Sequence, residues 1–137
     1  MSEVKITAAR QKQSENDKQS LLDKLKGKRP RRKTIAIDVS GEEVQMTFEA
    51  ISAHELDKLQ TKHKPTTEQR ARGFAFNPNT FAPALVAACS VEPKLSLDDA
   101  REIWESEFWS TGELNQLFDT CSNLCMEGMQ VPFTKSD

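Results

Sequence analysis

The chain has no tyrosine, only two histidines and only three cysteines among its 137 residues. So few imidazoles and thiols leave little material for acid–base chemistry or a paired-ligand metal centre. An odd cysteine count argues against a disulfide framework and suits a reducing compartment. No stretch approaches the roughly 20 consecutive apolar residues that a membrane-spanning helix needs. The opening MSEVKITAARQKQSENDKQ lacks the apolar core of a secretory signal. These absences predict a soluble, intracellular protein with no membrane association. Apolar residues make up 36% and charged residues 29%, which is lean for a globular domain. Part of the chain is therefore expected to stay outside any core.

The formal net charge of −2 hides a split. Residues 1–33 hold eleven Lys/Arg against four Asp/Glu, a net of +7, and residues 34–137 hold eight against seventeen, a net of −9. A basic arm precedes an acidic body. The arm, 1–33, is expected to be largely disordered, with residues 1–16 showing no sustained period. A short helix follows from Asn16 or Asp17, with Leu21, Leu22 and Leu25 on one side and Gly27 as a left-handed stop. Lys28, Arg29, Arg31, Arg32 and Lys33 then form a charged hinge around Pro30.

Past the hinge the apolar period becomes two. Ile35, Ile37 and Val39, then Val44, Met46 and Phe48, alternate with polar residues around a Ser40-Gly41 turn, which predicts a β-hairpin. A lone hairpin is marginal in water, so its apolar face is expected to rest on helices. Ser52 and Glu55 have capping-box spacing, flanked by Ile51 and Leu56 as staple residues, and open a helix that Lys64-Pro65 stops. Thr66 or Thr67 caps a short turn closed by Gly73. A helix over 80–90, capped by Asn79 or Thr80 with Pro83 in its first turn, is apolar almost all round and predicts a buried central element. Ser96 opens another helix with Ala100, Ile103 and Trp104 inward and Phe108 continuing their stripe. Ser110 and Glu113 repeat the capping spacing before Leu114, Leu117, Phe118, Cys121 and Cys125. The expected architecture is α+β and mainly α. A single domain of one hairpin and about four short helices spans 34–127, and a flexible tail occupies 128–137.

No catalytic, metal or cofactor site is expected. Cys121 and Cys125 lie at i,i+4, but Cys89, His54 and His63 are scattered in sequence rather than paired at ligand spacing. Cys89 lies in an Ala-Leu-Val setting that raises a thiol pKa instead of activating it. The acidic run from Asp98 to Glu107 suits a solvated helix face better than a paired-carboxylate centre. The basic arm offers phosphate contacts. It lacks interleaved aromatics for base stacking, and the acidic body would repel a polyanion, so nucleic acid is a weak partner candidate.

The aromatics draw more interest. Phe74, Phe76, Phe81, Trp104, Phe108 and Trp109 all fall within residues 74–109. Periodic placement favours core filling for Phe81 and Trp104. Phe74 and Phe76 lie in a loop between Gly73 and Pro78, where an aromatic suits an exposed anchor for another protein. Phe74, Phe76, Phe81, Trp104 and Trp109 are thus the candidate partner-binding residues.

Around this loop the chain resembles a known family. Residues Pro65 to Arg70, the run Gly73-Phe74-Ala75-Phe76-Asn77-Pro78-Asn79-Thr80-Phe81, and Pro83 to Ser90 resemble a segment of tail assembly chaperones of long-tailed bacteriophages, especially those infecting actinobacteria. The likeness continues through Glu92-Pro93, Ile103-Trp104, Trp109, Gly112-Glu113-Leu114 and Leu117-Phe118, covering about residues 45–125. The basic arm lies outside it. The resemblance implies a non-enzymatic protein of the host-cell cytoplasm that coats the tape-measure protein before tail-tube subunits polymerise around it. It also implies a longer, frameshifted form as a companion. Two alternatives stand beside it: a structural tail or head–tail connector component kept in the virion, and a basic-armed nucleic-acid-binding regulator.

Overall fold

The computed structural model describes residues 2–127, with side chains described from Ser14 onward. The predicted flexible tail at 128–137 lies outside the described residues. Helix α1 runs Ser2–Lys26, followed by β1 (Arg32–Val39), β2 (Glu42–Glu49), α2 (Ala53–Lys62), α3 (Thr67–Ala71) and α4 (Pro78–Cys89). Strand β3 (Ser90–Glu92), α5 (Leu97–Glu105) and α6 (Thr111–Met126) complete it. The fold is α+β and predominantly helical, as its composition of elements predicted. After the hairpin the described residues form five helices rather than about four, because the 67–72 turn closes into the short α3.

The helix expected from Asn16 or Asp17, with Leu21, Leu22 and Leu25 on one side, lies within α1, which runs from Ser2. Its residues are mostly Glu, Lys, Gln, Ala, Arg and Leu, whose summed intrinsic propensity favours helix even without an apolar stripe. Gly27 differs: it lacks the positive φ of a left-handed stop, and its amide bonds the Asp23 carbonyl at 2.9 Å, continuing the helical pattern.

The hairpin forms as the alternation dictates. Ile35 faces Met46 and Ile37 faces Val44 across the antiparallel pair. Ser40 and Gly41 both take positive φ, 55° and 88°, the backbone twist that two-residue hairpin turns require. Asp38 Oδ1 accepts from the Gly41 amide at 2.9 Å. β3 went unpredicted: three residues are too few to show alternation. It pairs with β2 through Phe48 and Ser90, giving sheet order β1-β2-β3.

Helix α4 is the hub, packing against α2, α5 and α6, while α6 also lies against β1 and β2. The core joins Met46 and Phe48 of the sheet to Phe81, Leu85, Val86 and Cys89 of α4 and to Leu117, Cys121 and Leu124 of α6. The α4 cap is Asn77, ahead of the predicted Asn79 or Thr80. Asn77-Pro78 combines a favoured cap with proline at the first helical position, so the helix starts earlier. Pro83 consequently lies inside the helix rather than in its first turn. At the other end Ser90, buried, donates to Ala87 O at 2.7 Å and accepts from Leu95 N at 2.8 Å, turning the chain toward α5.

Two members of the basic arm belong to this body. The Arg31 guanidinium donates to Leu124 O at 2.9 Å and Glu127 O at 3.0 Å, and Arg32 pairs with Glu49 at 3.0 Å.

Candidate functional site

The segment from His63 to Thr80 is tied by its own hydrogen bonds. Thr66 and Gln69 form a reciprocal capping box, Thr66 N donating to Gln69 Oε1 at 2.9 Å and Gln69 N to Thr66 Oγ1 at 3.1 Å. The Gln69 amide then donates to Asn77 Oδ1 at 3.0 Å, joining the cap of α3 to the cap of α4. Asn77 N donates to His63 O at 2.7 Å. His63 Nδ1 lies 2.9 Å from Thr80 Oγ1, and its ring meets Phe81 edge-on with centroids 6.3 Å apart. Burial, then the nearby Arg101 and Lys62 charges, lower the His63 pKa and favour the neutral ring. Gly73, at φ 91°, turns the chain so that Phe74 is exposed while Phe76 packs toward the core.

The five candidate aromatics do not form one surface. Phe81 is 3% exposed and belongs to the core. It supports Phe76, with ring centroids 4.5 Å apart, and meets Phe118 edge-on at 6.2 Å. Phe74 is 43% exposed. Phe76, Trp104 and Trp109 are half-buried. The Phe76–Phe81–Phe118 string borders an apolar cavity of about 90 Å³ between α2, α4 and α6, closed by Leu56 and Cys125 and reaching the surface at exposed Met126. On its far side Phe118 shares a cleft of about 480 Å³ with Trp104, Ala82, Arg101 and Asn115. Trp109 lies in a third depression with Leu95 and Ile103.

Phe108 is a correction. Placed on the buried stripe of α5 by its spacing, it is 92% exposed. The helix ends at Glu105, so helical spacing no longer governs residue 108. Phe118 was missed as a surface residue, since its sequence environment reads as core. Only the meeting of α4, α5 and α6 puts its ring between two depressions.

Cys89 of α4 joins the i,i+4 pair Cys121 and Cys125 of α6. Cys89 Sγ lies 3.7 Å from Cys125 Sγ. Hydrogen bonding with Cys121, then burial, pushes the Cys89 thiol up to about 12, despite an opposing contribution from Cys125. Cys125 is raised as well, by its bond with Cys89 and by burial. Such thiols are protonated at neutral pH and poorly nucleophilic. Among the described residues, no group of three or more His, Cys, Asp or Glu is arranged to hold a metal ion, and no helix is long and apolar enough to cross a membrane. Comparison of the chain with protein-family models, with curated proteins and with solved structures finds no match.

Proposed function

We propose that this protein is a non-enzymatic phage tail assembly chaperone that binds the tape-measure protein and keeps it soluble in the host cytoplasm during tail morphogenesis. The observation that carries this is the pair of depressions sharing Phe118, one floored by Phe76 and Phe81 and the other walled by Trp104. Apolar recesses between helices suit helix-in-groove docking, in which an amphipathic segment inserts side chains at i, i+3 and i+4. A tape measure is a long, largely helical chain, and exposed apolar stripes on such a chain aggregate without cover. The net −9 charge of residues 34–137 keeps a coated complex dispersed. Many copies along one chain gain from multivalency, so shallow individual sites suffice.

Phe74, Phe76, Trp104 and Phe118 form the contact surface in this proposal, with Phe81 as its support and Trp109 in a separate depression. Retention in the virion is the structural alternative, and particle composition by mass spectrometry separates it. For a nucleic-acid role, Arg31 and Arg32 are poorly placed, because their guanidiniums bond the body's own carbonyls and Glu49. Co-expression with the tape-measure protein is the direct test. The expected result is a soluble complex that Phe74→Ala with Phe76→Ala weakens while helicity is kept. Tape-measure solubility unchanged by the presence of this protein would overturn the proposal.

A further inference from the structure

The third depression, about 380 Å³, differs in chemistry from the other two. Leu95, Ile103 and Trp109 are apolar, while Asp99 and Glu102 stand among them. Asp98 and Glu107 adjoin these positions in sequence, as does the cation Lys94, while Arg101 and Glu105 line the Trp104–Phe118 cleft. Phe108, adjacent to Trp109 in sequence, and Leu97 leave further apolar surface in water.

The same chain carries a segment of opposite character. In α1, Lys18, Leu21, Leu22 and Leu25 follow i, i+3, i+4, i+7 spacing and share one face, whereas Asp23 lies on the opposite side. Leu21 is 60% and Leu25 66% exposed. Lys24 flanks the ridge, and Lys26, Lys28 and Arg29 follow it. A leucine ridge edged by cations matches an apolar depression edged by carboxylates in both shape class and sign.

Burial decides which copy supplies the helix. In the chain itself Leu21 and Leu25 stand in water rather than in its own depression. We propose that the leucine ridge of α1 docks into the Leu95–Ile103–Trp109 depression of a second copy, and that two such contacts close a reciprocal dimer. This contact is independent of tape-measure binding, since it uses neither the Phe76 recess nor the Trp104–Phe118 cleft. Three leucines and a handful of exposed charges make a weak, salt-sensitive association.

Sedimentation velocity of the full chain, from micromolar to sub-millimolar concentration at low and moderate salt, tests it. The expected result is a concentration-dependent monomer–dimer equilibrium that weakens with salt. Leu21→Asp with Leu25→Asp should weaken it at least about tenfold, about the loss of one buried leucine. Glu102→Lys, on the exposed rim, should also weaken it, and adding Lys18→Glu to that variant should restore part of the loss. Mixing the leucine variant with the Glu102 variant should restore an intermediate affinity, because one intact contact remains per heterodimer. A monomer at every concentration, a dimer indifferent to these substitutions, or a concentration-independent compaction lost in the leucine variant (closure onto the same copy) would each overturn the proposal.

Discussion

Arg31 and Leu124, 93 positions apart, are joined by a 2.9 Å hydrogen bond from the guanidinium to the backbone carbonyl. A second bond reaches Glu127 O at 3.0 Å. The last carbonyls of a helix have no intrahelical partner, and a cation there also meets the negative end of the dipole. A residue whose neighbours read as a flexible basic hinge therefore closes α6 and anchors the chain where it enters β1.

Removing that closure should be measurable. Arg31→Ala is expected to cost about 1–2 kcal/mol, the usual worth of charge-assisted bonds at a partly exposed site. Urea denaturation followed by circular dichroism reads it. Arg31→Lys should recover only part, since one ammonium does not reproduce the fork. A loss below about 0.5 kcal/mol, ordinary for a surface change, would show that water replaces the guanidinium without penalty.

Two phenylalanines of one sequence neighbourhood should behave oppositely. Phe81→Ala removes a buried ring packed on Phe76 and Phe118 and should destabilise by about 3–5 kcal/mol. Phe108→Ala should change stability by no more than about 0.5 kcal/mol, because its ring already lies in water. Thermal melts of both variants check the contrast. Equal losses would contradict the placement of residue 108 outside the helix.

His63 should confer a weak acid sensitivity. Its pKa is lowered in the fold from 6.5, so the unfolded chain takes up a proton more readily than the native one. The contribution is complete above about pH 6.5 and is lost as pH falls through the lowered native value. An NMR titration of the ring should give a midpoint below 6.5. His63→Gln should flatten the corresponding part of the stability–pH curve. A native midpoint above 6.5 would reverse the sign and refute the assignment.

The cysteine cluster predicts inertness at neutral pH and sensitivity at alkaline pH. Iodoacetamide should label Cys89 far more slowly in the native protein than in urea, as read by mass spectrometry. The raised thiol pKa adds stability that is whole below the reference value of 9.0 and declines as pH rises toward about 12. Cys89→Ala should reduce that decline. Rapid, selective native labelling of Cys89 would point instead to an activated thiol and reopen the question of catalysis.

Much of the fold was readable because it is local. A period of two marked the hairpin, and Ser52, Ser96 and Ser110 each cap a helix as their spacing predicted, accepting from the amide three residues on. At Ser96 and Ser110 the third residue's carboxylate returns the bond, whereas Glu55 instead lies 4.0 Å from Lys58. Start positions slipped where two cap candidates stood close together, as with Asn77 and Asn79. The aromatic segment was legible as a concentration of apolar side chains, but not as separate surfaces.

Composition, charge segregation and residue spacing thus determined by themselves that this chain would be a mainly helical α+β domain behind a basic segment, because helix caps, turns and alternation depend on neighbours within a few positions. The burial of Phe81, the exposure of Phe108, the sharing of Phe118 between two recesses, the meeting of three thiols and the docking of Arg31 were decided only by tertiary structure. Each depends on which helix faces close over one another, and residues that touch across dozens of positions leave no period in the sequence.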